Sequence, residues 1–325
     1  MNAPSGDRFK IAVVLPCYNE ALTIGALVRD FGAALPGARV IVFDNASTDG
    51  TAEAAGAAGA EVIRVERRGK GNVVRAMFAE VDAEVYVMAD GDGTYAAADA
   101  PAMVEALVGR RLDMVVGVRQ GVTEDAGRAG HAFGNRAFNW LFRQFFERGI
   151  SDIFSGYRVF SRRFVKSFPA LSTGFEIETE LSVHALSMLM PIAELPVAYG
   201  KRPEGSFSKL STIQDGLRIL SVLALLIKEV KPFFFFTVAS LVTLIAAIAF
   251  GAPVVREYFQ TGLVDRVPTW VFAMALLILS FLLFACGVIL DSVARGRVEQ
   301  KRLHWLAIPR IAPDEGRPAE ARLRD

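Results

Sequence analysis

Cysteine and histidine are scarce: 325 residues hold two cysteines and three histidines. Cys17 and Cys286 stand far apart in unlike contexts, which excludes a disulfide framework or a cysteine zinc site and suits a reducing compartment. Neither sign of charge is in surplus. The formal net charge is +1, from 36 basic and 35 acidic residues, so a strongly basic nucleic-acid surface and an acidic solvating tail are both excluded. No G-x-x-x-x-G-K-[ST] string occurs, and Gly69-Lys70-Gly71-Asn72-Val73-Val74 lacks the third glycine of a dinucleotide fingerprint. A P-loop nucleotidase and a Rossmann dehydrogenase therefore drop out. A signal peptide is not expected, because Asp7, Arg8 and Lys10 crowd the start and the apolar run Ile11 to Leu15 is short and ends in Pro16.

Charge is missing altogether from two stretches near the C-terminus. Pro232 to Val255 and Val267 to Leu290 each run 24 positions without Asp, Glu, Lys or Arg, longer than the roughly 20 residues of a bilayer-spanning helix. They explain a composition that is 52% hydrophobic and only 22% charged, with mean hydropathy +0.34. The connecting turn, Arg256-Glu257 to Asp265-Arg266, is neutral, whereas Lys228 and Lys231 precede the first span and Arg295, Arg297, Lys301 and Arg302 follow the second. By the positive-inside rule the N-terminal part and the C-terminal tail are both cytoplasmic, and a multi-pass protein of the cell (inner) membrane is expected. A helical hairpin buried in a soluble protein is the alternative. Before the first span, Ile213, Leu217, Leu220, Leu223 and Ile227 form one apolar stripe with Arg218 and Lys228 beside it, the pattern of an amphipathic helix on a membrane surface or of a core helix.

Residues 1–210 have another texture, in which short apolar runs alternate with amphipathic stretches. Ile11 to Leu15, Val40 to Phe43, Val62 to Val65, Val85 to Met88 and Met114 to Val116 read as buried strands. Between them, Ile24, Leu27, Val28, Phe31 and Leu35, the alanine-rich segment after Asp49, Ala76 to Val81 and Met103 to Val108 read as helices. This alternation predicts an α/β fold, a mainly parallel sheet with helices on both faces. Such sheets take ligands at the carboxyl ends of their strands. The expected organisation is a domain over 1–210, a juxtamembrane helix over 211–231, a two-helix transmembrane hairpin over 232–290 and a tail over 291–325.

Polar residues gather at three predicted strand ends: Pro16-Cys17-Tyr18-Asn19-Glu20, Asp44-Asn45-Ala46-Ser47-Thr48-Asp49-Gly50-Thr51 and Asp90-Gly91-Asp92-Gly93-Thr94. Asp44 ends a buried strand and needs a partner, such as a base or ribose. Ser47 and Asp49 shape a turn, cap the next helix, or meet a ligand. Asp90 and Asp92 converge after a buried strand, where their repulsion calls for a cation or donors. A divalent metal, Mg²⁺ or Mn²⁺, satisfies that need and leaves positions for a diphosphate, while a solvated acidic turn is the plainer alternative.

Taken in this order, together with Gly69-Lys70-Gly71, these segments resemble the family 2 glycosyltransferases of GT-A fold. Ser155-Gly156-Tyr157-Arg158, Gly174-Phe175-Glu176-Ile177-Glu178-Thr179-Glu180-Leu181 and Arg202-Pro203-Glu204-Gly205-Ser206-Phe207-Ser208-Lys209-Leu210 look like the branch of polyprenyl-phosphate sugar synthases that act on dolichyl or undecaprenyl phosphate. The likeness spans about residues 10–230. It implies that Pro16, Tyr18, Glu20, Asp44, Ser47, Asp49, Lys70, Gly71 and Asp90 bind a UDP- or GDP-linked sugar, with Asp90 and Asp92 holding Mg²⁺ or Mn²⁺. It further implies that Arg136 lies near the phosphates and that Arg136, Arg202, Ser208 and Lys209 meet the phosphate of the polyprenyl acceptor. The same resemblance makes Asp90, Asp92, Arg136, Arg202 and Lys209 the expected catalytic set. Thr94 stands where dolichyl-phosphate mannose synthases carry a glutamine, and Ser151 where a basic residue is common, so the sugar and nucleotide stay open.

The expected activity is an inverting, metal-dependent hexosyl transfer giving a polyprenyl-phosphate monosaccharide for the cell envelope. A polyprenyl monophosphate is already ionised near neutral pH and needs no general base, which fits the scarcity of histidine. The difficult step is departure of the nucleotide diphosphate, where the metal and Arg136 or Lys70 would meet the developing charge. Two spans are too few for the channel of a processive synthase, and no Q-x-x-R-W string is present. Other readings are a family 2 transferase with another lipid acceptor, for which Asp152 or Glu178 would be the base, and a non-catalytic nucleotide-sugar-binding scaffold. The lipid bilayer is a partner, nucleic acid is not, and a homo-oligomer stays open.

Overall fold

The computed structural model describes residues 9–120, 150–174, 176–200, 228 and 231–311. The chain divides into two compact units, one of residues 1–213 with 301–325 and one of residues 214–300.

The first unit is built on a seven-stranded sheet, β1 (Ile11–Cys17), β2 (Arg39–Asp44), β3 (Glu61–Arg64), β4 (Val85–Met88), β5 (Met114–Gln120), β6 (Arg158–Ser161) and β7 (Ile192–Ala198), in the order β3-β2-β1-β4-β6-β5-β7. Pairing is parallel everywhere except around β6, which runs antiparallel to both β4 and β5. The mainly parallel α/β sheet expected from the alternation is what forms, and the five strands read from apolar runs are all present. β6 and β7 carried no such signal. β6 has only four residues, Arg-Val-Phe-Ser, and its polar ends are buried by tertiary contacts rather than by a hydrophobic run.

Helices cover both faces. α1 (Ala21–Ala34), α2 (Thr51–Ala57) and α4 (Ala100–Gly109) pack together on one side, and α3 (Lys70–Glu80) packs with α5 (Arg162–Ser167) and α6 (Ile177–Ser187) on the other. On α1, Ile24, Leu27, Val28 and Phe31 recur at helical spacing and are all buried, joining Ile11, Val13 and Leu15 in the core. The opposite face is sealed by rings: Phe78 meets Tyr86, Phe160 and Phe168 edge-on, and Phe160 stacks on Phe164.

The second unit holds two long helices, α7 (Pro232–Thr261, 30 residues) and, as far as Gln300, α8 (Val267–Ala307, 41 residues). Both are long and apolar enough to cross a membrane. They pack antiparallel through Phe233 on Phe284, Phe250 on Phe272, and a reciprocal pair of hydrogen bonds in which each of Ser240 and Ser280 donates to the other's carbonyl. Gly262 ends α7 in the left-handed region, φ +72°, opening the turn between them. The expected tail from residue 291 is still helical as far as Ala307, and its residues from Lys301 group with the sheet unit. The juxtamembrane stripe over 211–231 lies outside the described residues apart from Lys228 and Lys231.

Candidate active site

The carboxyl ends of β1, β2 and β4 open on one rim because the three strands are adjacent and parallel. The loops after β1 and β2 are stitched together. Ser47 Oγ accepts the Asn19 N–H at 2.9 Å, Asn19 Oδ1 accepts Thr48 N–H at 2.9 Å, and Thr51 Oγ1 accepts Glu20 N–H at 2.9 Å. Asp49 accepts from Ala21 N–H at 3.0 Å and from the Thr51 hydroxyl at 2.5 Å. Burial works against its charge, but these hydrogen bonds hold the Asp49 carboxyl below its ordinary value. Ser47 and Asp49 thus join two loops, and the cap position of α2 falls to Gly50 in the left-handed region. Asp44 is buried at the bottom of this rim, accepting a long bond of 3.3 Å from Ser47 N–H to each oxygen. The Tyr18 ring is covered by the Arg68 guanidinium at 4.7 Å.

Asn45, which strand-end reasoning passed over, fixes the next wall. Its Nδ2 donates to the carbonyls of Val65 and Arg67, and its Oδ1 accepts Gly69 N–H at 2.7 Å. The segment Gly69-Lys70-Gly71 is thereby held at the start of α3. A Cβ at Gly69 or Gly71 would stand 2.2 Å from the carbonyl oxygen of Thr173 or Ser172, so the backbone of the loop before α6 lies directly on both glycines. One side of Gly71, expected against a nucleotide, is closed by this packing.

Asp90 and Asp92 follow β4 at the centre. Asp92 is buried, and one of its oxygens accepts both the Thr94 hydroxyl at 2.6 Å and Thr94 N–H at 3.1 Å. Asp90 ion-pairs with the Lys70 ammonium, which also pairs with Glu178 at 2.5 Å. Burial disfavours charge on Lys70, yet the two carboxylates beside it hold it well above the usual lysine range. Glu178 is pushed up by burial, pulled back by Lys70 and pushed further by Asp90. One ammonium serves two carboxylates, and Glu178 Oε2 is buried without a hydrogen-bond partner among the described residues. Gly156 closes over Asp90 so tightly that a Cβ there would fall 2.3 Å from Oδ2. Its position is set by the Tyr95 hydroxyl, which accepts Gly156 N–H at 3.0 Å.

Two further groups shape this wall. Arg119 grips Asp152 through both oxygens, at 2.7 and 2.8 Å. Arg158 is fully buried, and donates to the carbonyls of Ile153 and Ser155 and to the Ser182 hydroxyl, bolting the 152–156 loop to α6. Burial pulls its guanidinium down to about 10, with Glu178 and Asp152 acting to raise it. Sequence reasoning singled out neither Arg119 nor Arg158 as a site support, since Arg119 pairs with Asp152 and Arg158 reaches Ser182 on α6, both distant in the chain. His184 is buried on α6 among Phe164 and Phe168, as befits a structural histidine. Arg136, Arg202, Ser208 and Lys209 lie outside the described residues.

Asp90 and Asp92 provide the oxygen donors that a hard divalent cation takes, and the ammonium already drawn onto Asp90 shows that positive charge is demanded there. Among the described residues no three carboxylate, imidazole or thiol groups form a complete cage. A cation at this pair would complete its shell from diphosphate and water, the usual habit of Mg²⁺.

With this geometry established, comparison identifies the class. The glycosyl transferase family 2 model matches residues 12–168. Glycosyltransferase AglJ of Haloferax volcanii is 33% identical over 303 residues, covering 91% of this chain and 98% of that protein. The chain therefore belongs to glycosyl transferase family 2, and it is a glycosyltransferase. A dolichyl-phosphate hexose transferase of the same organism is 31% identical over 196 residues, 59% of this chain and 83% of its own length. Among solved structures, glucosyl-3-phosphoglycerate synthase from Mycobacterium tuberculosis, in complex with Mn²⁺, UDP-glucose and phosphoglyceric acid, superposes with a TM-score of 0.54 at 25% identity over 69% of this chain and 80% of its own. The same enzyme is also known with Mg²⁺ and UDP.

Proposed function

We propose that this chain is a membrane-anchored, inverting glycosyltransferase that moves a hexose from a UDP- or GDP-linked donor to a polyprenyl monophosphate. The observation that carries the acceptor assignment is the state of the spare carboxylates. An alcohol acceptor needs a general base, and both candidates are engaged: Asp152 is held through both oxygens by Arg119, and Glu178 is sealed against Lys70. An acceptor that arrives ionised needs neither. The dolichyl-phosphate hexose transferase among the relatives supports the same reading.

In this reading the nucleotide lies between Tyr18, Asp44 and the 65–69 segment, with its diphosphate toward Asp90 and Asp92. These two would hold Mg²⁺ or Mn²⁺, as suits a fold whose solved relative binds UDP with either ion. The cation would supply charge stabilisation to the departing diphosphate. Lys70 adds a second positive charge at the same edge. Gly156 and Tyr95 close one side of Asp90. Arg136, Arg202, Ser208 and Lys209 are assigned to the acceptor phosphate, and the charges flanking α7 and α8 support a cytoplasmic sheet unit.

The test is a transfer assay on the full chain in detergent, offering polyprenyl phosphate with a panel of UDP and GDP sugars, with and without Mn²⁺, read by mass spectrometry of the lipid. A metal-dependent lipid-phosphate hexose is expected. No such product from any donor would overturn the reading. Asp152→Asn should keep transfer within about threefold, whereas a general base would lose about 10²-fold or more.

A further inference from the structure

We infer that Glu178 is a positioning residue that holds the Lys70 ammonium as a latch, surrendered by Asp90 to an entering cation and turned onto the donor diphosphate. The inference rests on the reading of Asp90 and Asp92 as the cation pair.

The two carboxylates that share Lys70 differ in exposure. The Asp90 side chain is 29% accessible, that of Glu178 6% and that of Lys70 10%. A cation arriving from solvent reaches Asp90 and cannot reach Glu178. It meets an ammonium already on Asp90, and two cations on one carboxylate repel, so Lys70 must leave that oxygen. Glu178 keeps the other side of the ammonium, so the lysine is neither stranded in a buried site nor lost to solvent.

The backbone cannot carry this motion. The start of α3 is fixed by Asn45 on Gly69 N–H and by the carbonyls of Ser172 and Thr173 against the two glycines. The loop supplying those carbonyls is itself tied to α6 by Glu180, which accepts from Leu171 and Ser172 N–H, and to α3 by Arg75, which donates to the carbonyls of Ala170 and Leu171. Lys70 and Glu178 therefore keep a constant spacing, and only the lysine side chain swings. Glu178 Oε2, which has no hydrogen-bond partner among the described residues, gives the ammonium a second oxygen to turn toward as it leaves Asp90.

The latch makes a prediction of sign. Removing a carboxylate near a bound anion should by itself strengthen nucleotide binding. If Glu178 works through Lys70, its loss must weaken it. UDP and Mn²⁺ affinities are measured by titration calorimetry on full-length protein in detergent for the original chain, Glu178→Gln, Lys70→Met and the double variant. With Mn²⁺ saturating, Glu178→Gln and Lys70→Met should each weaken UDP about tenfold, and the double variant should be no worse than Lys70→Met alone, as for two groups acting as one unit. With Mn²⁺ alone, Lys70→Met should bind the ion more tightly, because its competitor for Asp90 is gone. Should Glu178→Gln fail to fold, as judged by its melting transition, Glu178→Asp keeps the charge with a shorter reach and should fall between the original chain and Lys70→Met. UDP binding unchanged or tightened in the Glu178 variant, or additive losses in the double variant, would overturn the latch. An original chain that binds UDP but no Mn²⁺ would instead overturn the cation reading beneath it.

Discussion

Buried charge occurs at both edges of the sheet, and the two sites are built on opposite rules. At the amino edge, Asp113 stands just before β5. Arg163 grips both of its oxygens at 2.5 and 2.6 Å, and the Ser161 hydroxyl donates to it at 2.7 Å. The Trp305 ring stacks over the same Arg163 at 4.1 Å. Every charge there has its partners. At the carboxyl edge, one ammonium serves Asp90 and Glu178, and among the described residues a buried carboxylate oxygen is left over. The difference separates structure from function: a saturated cluster has nothing to offer a ligand, whereas an undersupplied one is stabilised by whatever brings positive charge.

The comparison predicts opposite outcomes from like substitutions. The largest effect is expected at the centre of the carboxyl edge. Asp92→Asn should lower transfer by about 10³-fold while leaving the melting temperature unchanged or raised, since it relieves repulsion. Asp113→Asn should do the reverse, costing about 3–5 kcal/mol because Arg163 is left buried and unpaired, with kcat/KM preserved in the folded fraction. Denaturation and kinetics on the same preparations decide it, and early melting of the Asp92 variant would erase the distinction. Next is Gly156→Ala, whose methyl would fall 2.3 Å from Asp90 Oδ2. A shift of Asp90 by even about 1 Å should cost roughly 10²-fold in transfer. Trp305→Ala belongs to the amino edge and should cost about 1–3 kcal/mol with KM for the donor unmoved.

The smallest effect near neutral pH concerns His184, also remote from the rim. Burial, with Lys301 nearby, pulls its imidazole down to about 3. Its folded pKa lies below the unfolded one, so its contribution is fully present above about pH 6.5 and is lost as pH falls toward 3. Stability should decline on the acid side by up to about 1.4 kcal/mol per pH unit from this group, and His184→Gln should flatten that slope in a pH series of melting curves. An unchanged slope would show that carboxylates alone govern acid unfolding.

Much of the carboxyl edge was legible in the amino-acid order because it is local. Asp90-Gly91-Asp92 follows an apolar run, and the run's burial forces the next polar residues to the strand end. The five strands with apolar runs, and α1 with its spaced Ile24, Leu27, Val28 and Phe31, were legible for the same reason. Lys70 was expected beside the donor from its place in a glycine-flanked string, but its pairing with Asp90 and Glu178 was not legible. Ser47 and Asp49 looked equally suited to a helix cap or a ligand, and the fold gives their side chains to the loop after β1. Asp152 and Glu178 looked like spare carboxylates until Arg119 and Lys70 were found on them.

The sequence by itself determined the class of fold, the two apolar helices and the rim on which polar residues collect, because each of these follows from periodicity and burial within a few turns of chain. Only the tertiary structure decided which charges are paired. β6 enters antiparallel between β4 and β5 and brings Gly156 against Asp90, while α3 and α6 meet so that Lys70 reaches Glu178. Ion pairing depends on distances of a few ångströms between segments that lie far apart in the chain. No local pattern carries that information.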